Sequence, residues 1–256
     1  MSASAPPTGP VRGVLCLHGF TGTPFEVQQI GDALTAQGYA IGMPLLPGHG
    51  LDPFALEATH WTDWLAAAQA AFDELAARVP GRIAIVGFSM GGLLALQLAK
   101  AAPERVAALA VLSAPLRLRR AQVGGIRLLG LIPPRWRRGR LRAIPKSLGS
   151  DVAHPELRGK ILGTPAMPLR SLQSLLQLMA AARVDLAQVT APTFVAHGRH
   201  DHTVPLADSE ELAQRLGAEI VERLWLENSY HLVGVDLDKQ LLIDGISRFF
   251  ATHARW

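Results

Sequence analysis

The chain carries a single cysteine, which excludes an internal disulfide; Cys16 lies in the apolar run VLCLHG, where a buried strand residue is expected rather than a reactive thiol. No stretch of eighteen uncharged apolar residues occurs, so no membrane-spanning helix is read. The opening residues MSASAPPTGPVRG have neither a basic n-region nor an apolar h-region, and without a signal peptide a cytoplasmic address is expected. Acidic residues are missing from Arg105 to Lys146, a stretch with eleven basic ones, which leaves fourteen basic against twenty-one acidic elsewhere. The net charge of +4 is therefore the property of one segment rather than of the whole surface. No internal repeat is found, and no low-complexity tract beyond the proline-rich N-terminus.

What is present is a well-cored composition: 256 residues, 49% hydrophobic and 18% charged, enough for one globular domain that buries roughly three quarters of its unfolded surface. Short apolar runs alternate with helical patterns. GVLCLHGF precedes EVQQIGDALTAQG, AIGMPLL precedes DWLAAAQAAFDELAARV, and RIAIVGFS precedes MGGLLALQLAKAAP. VAALAVLSAP, PTFVAHGRHD with LADSEELAQRLG, and IVERLWLENSYH with DKQLLIDGISRFFATH complete the series. The runs do not alternate polar with apolar, as befits strands covered on both faces, so an α/β fold with a mostly parallel sheet is expected. Residues 116–180 break the rhythm with arginines and with prolines at 133, 134, 145, 155, 165 and 168. They read as an insertion ending in an amphipathic helix with apolar residues at 169, 172, 175, 176 and 179.

Gly87-Phe88-Ser89-Met90-Gly91 fits G-x-S-x-G at the one point where a β-branched run gives way to a helical pattern. Glycines on either side let strand and helix close around a strained turn, from which the Ser89 hydroxyl projects above the carboxyl edge of the sheet. A serine hydroxyl is a weak nucleophile unless a base takes its proton and an acid holds that base. Asp201 and His231 end the last two strand-like runs in the chain order such a site requires, and complete a candidate triad. The oxyanion hole calls for two backbone N–H groups: Met90, directly after the nucleophile, and Phe20, in the glycine-rich turn after the first strand.

With these residues in hand the chain resembles the α/β-hydrolases, and within them the bacterial carboxylesterase and monoacylglycerol lipase group. The matching stretches are HGFTGTP (18–24), PLLPGHG (44–50), DW (63–64), GFSMGG (87–92), APTFVAHGRHD (191–201) and the terminal His231, with PLRSLQSLLQLMAAARVDLAQV ahead of the acid's strand. The resemblance implies a central sheet of about seven or eight strands, a single domain over residues 1–256 with a small helical cap at about 116–180, and a Ser-Asp-His triad. It also implies hydrolysis of short- to medium-chain acyl esters or monoacylglycerols, with no cofactor. A thioesterase or a C–C bond hydrolase would use the same triad, and a catalytically silent hydrolase fold acting as a binding module is a further alternative.

Other residues receive plainer readings. HGRHDH offers His197, His200, Asp201 and His202 within six residues, but neighbours in an extended segment point opposite ways, so no metal site is expected. His18 and His49 are expected to hydrogen-bond the backbone, and the aromatics of WTDWLAAAQAAFDEL to join the core. IRLLGLIPPRWRRGRLR combines Leu128, Leu129, Leu131, Ile132 and Trp136 with six arginines. Such a segment, within 117–146, suits either a solvated surface or a transient anionic lipid interface, and nucleic acid is not an expected partner because no nucleic-acid fold surrounds it.

Overall fold

The computed structural model describes residues 12–50, 52–117, 124–126, 128, 142–146 and 149–256. Six parallel strands form the central sheet: β1 (Gly13–Leu17), β2 (Ala40–Gly42), β3 (Ile83–Phe88), β4 (Val106–Leu112), β7 (Thr193–Gly198) and β8 (Val221–Leu226), in the order β2-β1-β3-β4-β7-β8. Among the described residues this is fewer than the seven or eight strands expected. The two further strands, β5 (Ala143–Pro145) and β6 (Ala166–Pro168), pair antiparallel with each other outside the main sheet. Each has three residues and ends in proline, which cannot donate to the ladder of a sheet interior.

Every residue of β1, β3, β4 and β7 is buried, and the pleat divides them between two cores. Leu15, Leu17, Ile83, Ile85, Leu109, Val111 and Val195 face α3 (Trp61–Arg78), α4 (Met90–Ala101) and α5 (Leu169–Arg183). Val14, Cys16, Ala84, Val86, Ala110 and Phe194 face α1 (Phe25–Ala36) and α7 (Lys239–His253). The aromatics Trp64 and Phe72 of α3 are buried in the first of these cores. Two shorter helices are α2 (Pro53–Glu57) and α6 (Leu206–Arg215), α2 starting at the Asp52 side chain, which accepts the Phe54 N–H. Among the described residues no helix is long and apolar enough to cross a membrane.

From β1 the chain first goes outward to β2 and then returns to β3 on the other side of β1. The carboxyl ends of β1 and β3 therefore flank a topological switch point, the place where open α/β sheets leave a crevice. The chain between β4 and β7 is rooted on both sides. At its start the Leu116 and Arg117 N–H groups donate to the buried Asp208 carboxylate at 2.7 and 3.0 Å. At its end the Lys100 ammonium donates to the carbonyls of Ala181 and Val184, both at 3.0 Å, capping the C-terminus of α5 with a cation. Of the arginine-rich segment, Leu129, Leu131, Ile132 and Trp136 lie outside the described residues, while Leu128 is exposed. Arg117 pairs with Glu211, and Arg142 pairs with Glu57 while lying 4.2 Å over the Phe54 ring.

Candidate active site

Ser89 sits between β3 and α4 at φ 52° and ψ −115°, a backbone conformation that costs a side-chain-bearing residue about 1–3 kcal/mol. The surroundings hold it there. Its N–H donates to the Leu112 carbonyl at 2.8 Å, and its own carbonyl accepts from Gly92 at 3.0 Å. A Cβ at Gly91 would overlap the Leu17 carbonyl of β1, and one at Gly87 would overlap the Gly91 carbonyl, so the turn closes only with glycine on both sides.

The structure brings the other two sequence-predicted side chains to this serine. The Ser89 hydroxyl donates to His231 Nε2 at 3.1 Å, and His231 Nδ1–H donates to Asp201 Oδ2 at 2.7 Å. Ser89 and His231 are buried, and so is the side chain of Asp201. Asp201 stands in the turn after β7, where its Oδ1 accepts the N–H groups of Thr203 and Val204 at 2.8 and 2.7 Å. His197, one of the residues in HGRHDH, is part of this arrangement: its Nδ1 accepts from the Ser209 hydroxyl at 2.7 Å, and its Nε2–H points to Asp201 Oδ2 and the Val204 carbonyl, both at 3.1 Å. Burial alone would raise the Asp201 carboxyl, but the charge of His231 and the hydrogen bonds from His197 and His231 outweigh it and hold the group well below the usual carboxylate range. Burial likewise pulls His231 down, and the facing charges, Asp201 first and then Asp151 and Glu26, reverse this and raise it above its ordinary value.

The two residues expected to supply amides to the oxyanion stand just after β3 and β1, the pair of strands that flanks the switch point. Met90 opens α4, so its N–H has no intrahelical acceptor and lies at the positive end of the helix dipole. Phe20 lies in the turn after β1, which is held by a Gly22 N–H to Gly19 carbonyl bond at 3.2 Å and by a Gly19 N–H donated to Glu26 Oε2 at 2.8 Å. The Glu26 carboxyl is tucked against Gly19 and Gly22, and burial pushes its pKa up to about 7. Nearby, His18 Nε2 accepts the Leu46 N–H at 3.0 Å and its Nδ1 donates to the Gly19 carbonyl at 2.9 Å. His49 Nδ1 donates to the Pro47 carbonyl at 3.0 Å. The Phe20 side chain packs against an apolar cluster of Ile126, Leu169 and Leu172, joined by Met167 and Leu176.

Sequence reasoning did not find Glu26, Asp151, Asp236 or a supporting role for His197. Glu26 offered only the weak signal of an acid in the first turn of a helix, and the contacts of Asp151 with His202 and of Asp236 with Ala153 join residues 51 and 83 positions apart, which spacing does not reveal. His197 reaches Asp201, four residues on, because the turn after β7 folds back, against the extended reading of HGRHDH.

A parallel sheet whose strand order reverses beside a strained serine, with an acid after β7 and a histidine after β8, is the architecture of the α/β-hydrolases. The chain belongs to the serine aminopeptidase S33 family, whose pattern matches residues 9–238. It is similar to a thermostable monoacylglycerol lipase of Bacillus sp. (strain H-257), 32% identical over 249 residues that cover 96% of this chain and 92% of the relative. It is also similar to a carboxylesterase of Bacillus subtilis (strain 168), 26% identical over 93% of this chain and 92% of that one. Among solved structures, one from a study of the metagenome-derived lipolytic enzymes LipS and LipT matches with a TM-score of 0.86 at 31% identity, covering 95% of each chain.

Proposed function

We propose that this protein hydrolyses carboxylic acyl esters, either short- to medium-chain esters or monoacylglycerols, through an acyl-enzyme intermediate. The observation that carries the reading is the unbroken hydrogen-bonded line from Ser89 through His231 to Asp201, at 3.1 and 2.7 Å, starting from a backbone-strained serine. The lipase and carboxylesterase names of its relatives point to the same substrate class.

In the first half-reaction the Ser89 oxygen adds to the ester carbonyl as its proton passes to His231 Nε2. The Asp201 carboxylate stabilises the imidazolium, and the N–H groups of Phe20 and Met90 receive the developing oxyanion. Collapse of the tetrahedral adduct breaks the acyl–oxygen bond, and His231 returns its proton to the departing alcohol. Water then attacks the acyl-serine with His231 again as base, and the acid leaves with Ser89 restored. No step calls on a cofactor. The inserted chain, 116–180, serves as the cap of a single domain, and the apolar cluster that its Ile126, Met167, Leu169, Leu172 and Leu176 form against Phe20 suits an acyl chain. The arginines of that cap favour approach to an anionic lipid surface.

A fluorophosphonate probe tests the chemistry: covalent labelling mapped to Ser89, lost in Ser89→Ala, is expected. Label that stays on the protein after that substitution, or none where a control esterase reacts, contradicts the reading.

A further inference from the structure

Asp151 lies between β4 and β7, yet it contacts the loops of both the acid and the base. Its Oδ2 accepts the His202 N–H at 2.9 Å and the Thr203 hydroxyl at 3.0 Å, and its Oδ1 takes His202 Nδ1–H at 2.8 Å. These are the two residues that follow Asp201. The Asp151 carbonyl accepts the N–H of Leu232, the residue after His231, at 3.1 Å. Two residues further on, Ala153 and His154 donate their N–H groups at 2.8–3.0 Å to the fully buried carboxylate of Asp236. Asp236 also accepts the N–H of Tyr230, the residue before His231, at 2.8 Å. The Tyr230 ring closes the outer side, standing edge-on to His202 at 4.6 Å. The acid and base loops are thus held by hydrogen bonds to the same short stretch of the inserted chain.

We propose that Asp151 is a positioning residue for the triad: it fixes the turn behind Asp201 through its carboxylate and the segment after His231 through its carbonyl. Its negative charge further favours the imidazolium that forms as Ser89 attacks. The inference rests on the triad reading given above.

The titratable and charged groups that face His231 are Asp201, Asp151 and Glu26, with Lys146 beside Glu26 and His202 paired with Asp151; Glu26 titrates at about 7 in parent and variant alike, so the difference between their pH profiles isolates Asp151. Asp151→Asn keeps an acceptor for the His202 N–H and deletes the charge. With a soluble p-nitrophenyl ester, kcat is expected to fall about three- to tenfold with KM nearly unchanged, the pattern of an interaction made in the transition state. The acid limb of kcat/KM is expected to move to lower pH, because an imidazole with one fewer facing carboxylate protonates less readily. An unchanged kcat and acid limb overturns the proposal. So does a fall in kcat that tracks lost thermal stability while the acid limb stays in place, since that is what a merely structural anchor gives. If Asp151→Asn does not fold, Asp151→Glu decides the matter: it keeps the charge and displaces the carboxylate, so a lowered kcat is expected and a parental kcat overturns the proposal. The Ser89→Ala blank separates the two ideas. Activity that survives it removes the triad reading, whereas activity lost there but indifferent at Asp151 removes only this inference.

Discussion

At the scale of single residues, two buried titrating groups govern how the protein responds to pH. His231 acts as a base only when neutral, and the facing carboxylates raise it above the ordinary 6.5. Activity is therefore expected to be full at alkaline pH and to fall as pH drops through a value above 6.5, measured as kcat/KM on a soluble ester. An acid limb below that value contradicts the assignment. Glu26 acts on stability. Its pKa of about 7 in the fold exceeds the ordinary 4.5, so the folded state holds the proton more tightly than the unfolded one between those values. The contribution of Glu26 to stability is fully present below about pH 4.5 and is lost as pH rises through about 7. Glu26→Gln, which can still accept the Gly19 N–H, abolishes that decline; its melting temperature relative to the parent is expected to improve steadily across the interval, and a pH-independent difference contradicts the account. Glu26 was not legible in the sequence because its burial depends on a turn folding back over it from β1. Ser89 was legible, since its glycines mark the turn whatever the rest of the chain does.

At the scale of elements, the β3–α4 turn transmits packing to chemistry. Gly91→Ala drives a methyl group into the Leu17 carbonyl, and rigid backbone cannot yield as a flexible side chain can. The helix must lift from β1 and carry the Met90 amide with it, so a loss of about 1–3 kcal/mol in urea unfolding is expected together with a larger loss of activity. Parental activity at parental stability contradicts this packing. The long elements were readable because both-face burial leaves unbroken apolar runs, as in GVLCL and VAALAVL. The run AIGMPLL was read past its strand, which stops at Gly42, ahead of the Met43-Pro44 step where proline has no N–H to donate. Helix α2 was missed although Asp52 and Pro53 form a cap and a first-turn proline, because five residues carry no periodicity. The β5–β6 pair was hidden for the same reason: its alignment is set by the fold rather than by a local pattern.

At the scale of the whole molecule, charge and catalysis meet in the chain between β4 and β7. The segment is basic, yet two of its arginines, Arg117 and Arg142, are engaged with Glu211 and Glu57 on the body of the protein, so fewer charges are free for a partner than the sequence count suggests. If the segment meets lipid, acidic vesicles raise turnover of a water-insoluble ester and about 0.5 M salt reverses the gain. Indifference to both removes the lipid interface while leaving the chemistry intact. The chemistry itself is tested most directly by kcat/KM for p-nitrophenyl esters from acetyl to palmitoyl, with Ser89→Ala as the blank. The account predicts an optimum at short or medium chains that vanishes in the variant. Rates at the level of the blank across the whole series would contradict it.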